Sequence, residues 1–352
     1  GVVYLVSSGT AVEKNDAVGT MVSMVPCKQD ARAYMAASID SLTSFLISKV
    51  NRSFVYVPNP GNAGDALIAF ATLRLFSDLS LPAHTVGHWS QKYSSRLIVL
   101  GGGGNLVERA SSSRQLGGLK IAQFLRDNAP SERNNTIVLL PQSVRGYSSL
   151  LGGLGRNVWI WARERETYTH LRQFANGGAR VSIGHDVALH LVDCGLWETA
   201  KIMVERRAKT TLVFRTDREA PAEQTLPSGN VDIVKESARV LDIQSVNVSL
   251  FGLRYELSSH ELGLCAKGLA LMRYVAAAPE VRTNRLHVAI AALITHTPCH
   301  LYDNSYGKLS SVFAHSLCTG CAYDNRLLLF HTGVYQPPPS LRSCLRARCS
   351  VL

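Results

Sequence analysis

Arginine, histidine and lysine side chains in one short stretch of the sequence could bind a small anion and move a proton. The stretch reads Val281-Arg-Thr-Asn-Arg-Leu-His287 and leads on to Lys308. Arg282, Arg285 and His287 stand just before an apolar run, which we expect to be a helix. The free N–H groups and the dipole at the start of a helix favour negative charge. The stretch therefore predicts half of a site for a small, doubly anionic substrate.

Arg285 and His287 are two residues apart, so on a regular helix they would point in different directions. Both can face one ligand only if Arg285 lies in the turn and His287 lies just inside the helix. A purely structural role for a histidine at a helix start is the alternative.

A run of glycines forms a second candidate site. Gly101, Gly102, Gly103 and Gly104 precede Asn105 and follow the apolar segment Leu97–Leu100. Glycine lets the backbone approach a ligand closely because no Cβ intervenes. No Gly-Lys-Ser/Thr follows, and the third glycine and later acid of a dinucleotide fingerprint are missing. The run predicts either ligand contact or a tight strand-to-helix turn.

Two further motifs each allow two interpretations. In Asn62-Ala-Gly64-Asp65, the carboxylate of Asp65 could cap a helix, or it could orient or deprotonate a sugar hydroxyl. Arg215, after another apolar segment, could bind an anion or pair with Asp217 on the surface.

Apolar segments that alternate with helical patterns predict a parallel sheet with helices on both faces. The polar candidates all follow predicted strands: Asn62–Asp65, Gly101–Asn105, Gln142, Arg163, Asp186, Arg215 and Arg285–His287. Ligands bind at the carboxyl ends of strands in such sheets. We therefore predict an α/β protein with two doubly wound, Rossmann-like domains that face a cleft. The predicted divisions are an N-terminal domain over 1–200, a C-terminal domain over 201–325, and a basic, poorly ordered tail over 326–352.

Composition narrows the class of protein. The chain has 352 residues, is 46% hydrophobic and 18% charged, and carries a net charge of +11. It has no apolar run of the roughly 18–20 residues that a membrane span needs. No signal peptide is evident either, so we expect a cytoplasmic protein. The excess of basic residues suits anionic substrates or an anionic membrane surface, and no nucleic-acid motif accompanies it.

The eight cysteines are spread thinly, which argues against a disulfide scaffold. Cys318 and Cys321 have the spacing of a metal knuckle, but no second pair lies nearby. We therefore expect neither a metal nor a cofactor.

Taken together, these pieces resemble the polysaccharide pyruvyl transferase family over roughly residues 57–315. The matching segments are Asn62–Asp65, Ile98–Asn105, Leu140–Gln142, Ala162–Glu166, Asp186, Arg215, Arg285–His287, Pro298 and Tyr306–Lys308. The chain has His185-Asp186-Val187 where the family often has Cys-Asp-Pro, so the acid is kept and the rigid turn is not.

The resemblance implies a fold like the B-type glycosyltransferases and transfer of pyruvate from phosphoenolpyruvate to two hydroxyls of one sugar as a cyclic ketal. It places the acceptor at the N-terminal domain and phosphoenolpyruvate at the C-terminal domain. On this reading Arg215, Arg285 and Lys308 bind phosphoenolpyruvate, His287 is the general acid, and Asp65 orients the acceptor or acts as base. The other substrate-binding candidates are Asn62, Gly64, Gly102, Gly103, Asn105, Gln142, Arg163 and Asp186.

The implied partners are phosphoenolpyruvate and a sugar of an exopolysaccharide or cell-wall glycan. If that sugar is lipid-linked, the protein would work peripherally at the inner face of the membrane. Two other functions stay open. A nucleotide-sugar-dependent glycosyltransferase would need the same fold and a cationic diphosphate site. A non-catalytic protein could use its basic surface to bind glycan or membrane.

Overall fold

The computed structural model describes residues 20–22, 41–59, 61–108, 116–175, 177–193, 197, 204–205, 207–208, 210–214, 257–303, 307–317 and 327–331. Within these ranges the chain forms two β-sheets with helices packed on them. The strands, in chain order, are β1 (Thr20–Val22), β2 (Phe54–Val57), β3 (His84–Val86), β4 (Leu97–Leu100), β5 (Gly103–Val107), β6 (Thr136–Arg145), β7 (Val158–Ala162), β8 (Arg180–Ile183), β9 (Thr211–Val213), β10 (Val281–Thr283), β11 (Cys299–Tyr302) and β12 (Leu327–His331).

The described α-helices, also in chain order, are α1 (41–49), α2 (Ala63–Asp78), α3 (Leu116–Asn128), α4 (Ser148–Gly152), α5 (Arg165–Phe174), α6 (His190–Asp193), α7 (Ser259–Ala276), α8 (Leu286–Ile294) and α9 (Lys308–Val312). A single 3₁₀ turn, Val187–Leu189, separates β8 from α6.

The first sheet has the strand order β3-β2-β4-β6-β7-β8, and β5 pairs with β6 beyond the end of β4. Each of its pairings is parallel. Every residue of β2 and β4 is buried, as expected for strands covered by helices on both faces. The predicted α/β class with mostly parallel strands is therefore confirmed.

The second sheet has the order β1-β12-β11-β10-β9 and is parallel except for the pairing of β1 with β12. Two short strands of this sheet come from outside residues 201–325. Thr20–Val22 lies in this sheet although it belongs to the predicted first domain. Leu327–His331 lies inside the predicted disordered tail, yet its apolar residues continue the sheet beside β11. The division of the chain at residues 200 and 325 stays a prediction.

Helices of both halves share one hydrophobic core. This core includes Phe70 on α2, Leu271 on α7 and Ile290 on α8. The contact of α2 with α7 is close because of Gly268, where a Cβ would stand 3.2 Å from the Cα of Leu67. The sheets are therefore joined by packed helices, and the start of α2 is held close to the second sheet.

Two predictions of local structure were wrong. The strand expected to end at Leu140 runs on through Pro141 to Arg145, because β5 and β7 offer partners on either side. Part of the glycine run enters β5, so the tight strand-to-helix turn, one of its two predicted interpretations, was wrong. No helix within the described ranges combines the length and the apolar character that crossing a membrane requires.

Candidate active site

The polar residues that follow the predicted strands meet at one edge of the first sheet, next to the start of α8. Three contacts define this edge. The Nδ2 of Asn105 lies 3.5 Å from Oδ1 of Asp65, Nη1 of Arg163 lies 2.8 Å from Oδ2 of Asp186, and Nε2 of His287 lies 3.3 Å from the same oxygen. The predicted convergence of strand ends is thus present among the described residues.

The first turn of α2 carries Asp65. Asn62 is the N-cap, and its Oδ1 accepts a hydrogen bond of 2.8 Å from the N–H of Gly64. Asp65 completes a capping box, since its Oδ2 accepts a bond of 3.0 Å from the N–H of Asn62. The interpretation that Asp65 caps the helix is therefore confirmed, with Asn62 as the N-cap residue and Asp65 at the third helical position.

The second oxygen of Asp65 points toward the site. Burial raises the pKa of Asp65, and the nearby charges of His287 and Lys308 and the N–H of Asn62 offset only part of this effect. A buried carboxyl with a raised pKa is suited to exchanging a proton near neutral pH.

The glycine run lies against neighbouring polar groups. At Gly103, φ is +146°, and a Cβ would stand 2.5 Å from Nδ2 of Asn59. At Gly102, a Cβ would stand 2.8 Å from the carbonyl oxygen of Pro141. No side chain fits at either position, so the run passes tightly between β2 and β6.

Two amide side chains fix this run. Gln142 donates a bond of 2.6 Å from Nε2 to the carbonyl of Gly101, and Asn59 donates one of 3.1 Å to the carbonyl of Gly102. Asn59 also accepts a bond of 3.1 Å from Nδ2 of Asn105. The sequence reading missed Asn59, although its place directly after a buried strand is the same signal that singled out Gly101.

Arg163 is the most buried cation of the site, with no exposed surface. Its Nε donates a bond of 2.7 Å to Oγ of Ser143, and its Nη1 donates to Asp186. The Oγ of Ser143 in turn donates a bond of 2.8 Å to Glu164, which is also fully buried. The remaining nitrogen, Nη2, is buried and has no hydrogen-bond partner within the described residues.

Lys308 and Arg163 approach the same point above Gly104. A Cβ at Gly104 would stand 2.5 Å from Nζ of Lys308 and 2.7 Å from Nη2 of Arg163. Lys308 begins α9 and follows Gly307, whose φ is +74°. The N–H groups of Leu309 and Ser310 donate to Asp303, which fixes this turn. Two buried cations that come this close to one point are suited to binding a phosphate or a carboxylate.

The start of α8 has the predicted arrangement. Arg285 is the N-cap, so it lies in the turn, and His287 lies in the first turn of the helix. Leu286 between them is buried in the core. Gly64 faces His287, since a Cβ at Gly64 would stand 2.5 Å from Nδ1 of the imidazole.

Arg282 does not join this group, contrary to the expectation from the sequence. Its Nε donates a bond of 2.9 Å to Glu280, and 43% of its side chain is exposed. Successive residues of a strand point to opposite faces, so Arg282 turns to the face opposite Val281 and Thr283.

Some predicted residues lie outside the described ranges, namely Arg215, Tyr306, Cys318 and Cys321. Within those ranges, no three His, Cys, Asp or Glu side chains are grouped so that they could hold a metal ion.

The family model described as polysaccharide pyruvyl transferase matches residues 62–306. Among solved structures, the chain is similar to a functionally uncharacterized protein from Klebsiella pneumoniae subsp. pneumoniae, with a TM-score of 0.57 and 24% sequence identity over 80% of this chain and 94% of that one. No curated protein matches the chain.

Proposed function

Because the chain belongs to the polysaccharide pyruvyl transferase family, we propose that it transfers the pyruvyl group of phosphoenolpyruvate to two hydroxyls of one sugar, giving a cyclic ketal. The family accounts for pyruvyl transfer in general. The donor and the ketal product are the proposal. The observation that carries it is the pair of buried cations above Gly104, with a histidine and a carboxyl group beside them.

Phosphoenolpyruvate carries a phosphate and a carboxylate on three carbons, so it needs several fixed cations. Nη2 of Arg163 is held in place by the bonds that Nε and Nη1 make to Ser143 and Asp186. An anion between this nitrogen and Nζ of Lys308 would give Nη2 the partner that it lacks within the described residues. We add Arg285 as a third cation because it is the N-cap of α8, the helix that carries His287. We assign the donor to these three residues, with Arg215 as a further candidate.

The chemistry needs one proton on the donor. His287 adds a proton to the terminal methylene carbon of phosphoenolpyruvate, which becomes the methyl group of the ketal. The adjacent carbon then has oxocarbenium character, and one sugar hydroxyl forms a C–O bond to it and loses its proton. The C–O bond to phosphate breaks, inorganic phosphate leaves, and the second hydroxyl closes the ring with loss of its own proton.

We assign Asp65 as the group that receives a hydroxyl proton. Its carboxyl group is buried beside His287, and burial raises its pKa. Asn62 and Asn105 fix its two oxygens, at 3.0 and 3.5 Å. We therefore assign the acceptor sugar to the side of the site formed by α2 and the glycine run. Gly102, Gly103 and Gln142 would lie beneath the bound sugar.

We further propose that the acceptor is a sugar of an exopolysaccharide or cell-wall glycan, free or lipid-linked, and that the protein acts in the cytoplasm. A net charge of +11 would favour approach to an anionic membrane surface that presents a lipid-linked acceptor.

The test is incubation with phosphoenolpyruvate and a panel of galactosides, glucosides and mannosides. The expected result is release of inorganic phosphate together with the mass gain of one ketal-linked pyruvate. In D₂O, one deuterium should enter the methyl group of the ketal. Release of a nucleotide from a nucleotide sugar, with phosphoenolpyruvate left intact, would contradict the proposal.

A further inference from the structure

Asp186 lies between two basic residues of the site, Arg163 and His287. It follows β8 in the first sheet, whereas His287 belongs to α8, next to the second sheet. Asp186 is 2% exposed. Its Oδ1 accepts a bond of 3.0 Å from the N–H of Ala188, and its Oδ2 lies 2.8 Å from Nη1 of Arg163 and 3.3 Å from Nε2 of His287. These contacts leave little room for Asp186 to bind a substrate directly.

The charge of Asp186 differs from that of the other carboxyl group beside His287. Burial by itself would raise the pKa of Asp186, but His287, Arg163 and the N–H of Ala188 hold it well below its usual range. Burial has the opposite net outcome at Asp65, whose pKa is raised. When two carboxyl groups flank one residue and their pKa values move apart, they take different roles. Asp186 is the permanent anion, and Asp65 is the group that can exchange a proton.

A permanent anion on one side of an imidazole selects its tautomer. With a carboxylate beside Nε2, the neutral ring keeps its proton on Nε2, and Nδ1 becomes the nitrogen that gains and loses a proton. Nδ1 has no hydrogen-bond partner within the described residues, and the lack of a side chain on Gly64 lets the imidazole pack closely against α2. The side chain of His287 remains 16% exposed, so a ligand can reach it.

From this geometry we propose that Asp186 is a positioning residue, which holds Nε2 of His287 so that Nδ1 delivers the proton to phosphoenolpyruvate. This role rests on the proposed function. It differs from the substrate-binding role expected for Asp186 from the sequence, because Asp186 acts here through His287 and touches no substrate atom.

The first test is made on the wild-type protein and needs no turnover. Nitrogen-15 spectra of histidine-labelled protein, at a pH where His287 is neutral, should give the signals of the Nε2-protonated tautomer, assigned by comparison with His287→Gln. Signals of the Nδ1-protonated tautomer would overturn the proposal. This reading is valid even if no pyruvyl transfer is found, so a failure of the proposed function is distinguishable.

The second test is Asp186→Asn, in which the amide oxygen can still accept from Arg163 while the charge is lost. We expect kcat to fall by roughly 10²–10⁴-fold, the KM for phosphoenolpyruvate to change little, and the tautomer signals of His287 to become mixed. Asp78→Asn is the matched control, because Asp78 forms an aspartate–histidine pair with His190 at 2.9 Å outside the site. It should leave kcat unchanged.

A rise in KM at constant kcat in Asp186→Asn would mean that Asp186 acts only through Arg163, and this would overturn the proposal. Unchanged tautomer signals in a folded Asp186→Asn protein would do the same. If the Asp186→Asn variant does not fold, the nitrogen-15 spectrum of the wild-type protein still tests the proposal, because it reports the tautomer of His287 directly.

Discussion

The ammonium nitrogen of Lys308 lies 2.5 Å from the point where a side chain on Gly104 would begin. Lys308 comes from the second half of the chain and Gly104 from the first, so the anion site is complete only when the two halves are packed together. Nη2 of Arg163 lies 2.7 Å from the same point. One added methyl group at Gly104 would therefore disturb both cations at once.

Gly104→Ala should weaken binding of phosphoenolpyruvate. The new Cβ would displace Nζ of Lys308 or Nη2 of Arg163 and fill the space that we assign to the anion. We expect the Kd to rise by at least about tenfold, or roughly 1.4 kcal/mol, as measured by calorimetry.

Gly263→Ala is the matched control for that change. Gly263 lies in α7, where a Cβ would meet nothing within 4 Å. Alanine there should leave binding unchanged and should stabilise the protein by about 0.5–1 kcal/mol, because glycine is unfavourable inside a helix. If the wild-type protein and the Gly104→Ala variant bound phosphoenolpyruvate equally well, the assignment of its anion to the position above Gly104 would be wrong.

Gly64→Ala should reduce turnover rather than donor binding. The new Cβ would stand 2.5 Å from Nδ1 and 2.9 Å from Cβ of His287, so the imidazole must move. Rotation of the imidazole cannot move Cβ of His287, so α2 and α8 must separate slightly and the protein should also lose some stability. We expect kcat to fall on the order of 10²-fold, with the Kd for phosphoenolpyruvate within about twofold of wild type by calorimetry. A normal kcat would show that the position of His287 does not control the reaction.

Much of this site could be predicted because each strand end is visible as an apolar run followed by polar residues. Arg163, Asp186 and Arg285 were found this way, and parallel strands bring such ends to one edge. The period of a strand could also have excluded Arg282, since it alternates with Val281 and Thr283 in β10.

The pairing of side chains could not be predicted. Asp186 and His287 are 101 residues apart, and their contact depends on how α8 packs against the first sheet. The bond from Arg163 to Ser143 depends on the register of β6 against β7, which shifts between Leu139 and Gln142. No spacing in the sequence records that shift. The sequence therefore predicted which residues gather at the site, but not which of them bind substrate and which hold their neighbours.

Stability should fall in mild acid because of a buried histidine pair. The rings of His185 and His315 stack with centroids 4.8 Å apart. Burial, together with His315, lowers the pKa of His185 to about 3. The unfolded chain, with a histidine pKa of about 6.5, therefore binds a proton more readily than the folded protein between these values. The contribution of His185 is complete above pH 6.5 and is lost progressively as the pH falls toward 3, at up to about 1.4 kcal/mol per pH unit.

Urea unfolding of His185→Asn at pH 7 and pH 5 checks this expectation. The variant can be less stable at pH 7 because the stacking is lost, but its decline between the two pH values should be smaller than that of the wild type. His88→Asn is the control, because His88 is exposed and should leave the decline unchanged. An identical decline in wild type and His185→Asn would contradict the prediction.

Glu261→Gln should separate stability from activity. Oε1 of Glu261, on α7, lies 2.6 Å from Nε2 of His84 at the edge of the first sheet, and both side chains are buried. Burial by itself would raise the pKa of Glu261, but His84 and the two hydrogen bonds from Ser258 hold it below its usual range. The carboxylate therefore adds stability above about pH 4.5 that is lost as the pH falls.

At pH 7, the Glu261→Gln variant should lose on the order of 1–3 kcal/mol of unfolding free energy. Its kcat/KM at 25 °C should stay near the wild-type value because no site residue is touched. The exposed Glu132→Gln change serves as the control and should alter neither quantity. If Glu261→Gln were as stable as wild type, this pair would not help to join the two halves of the molecule.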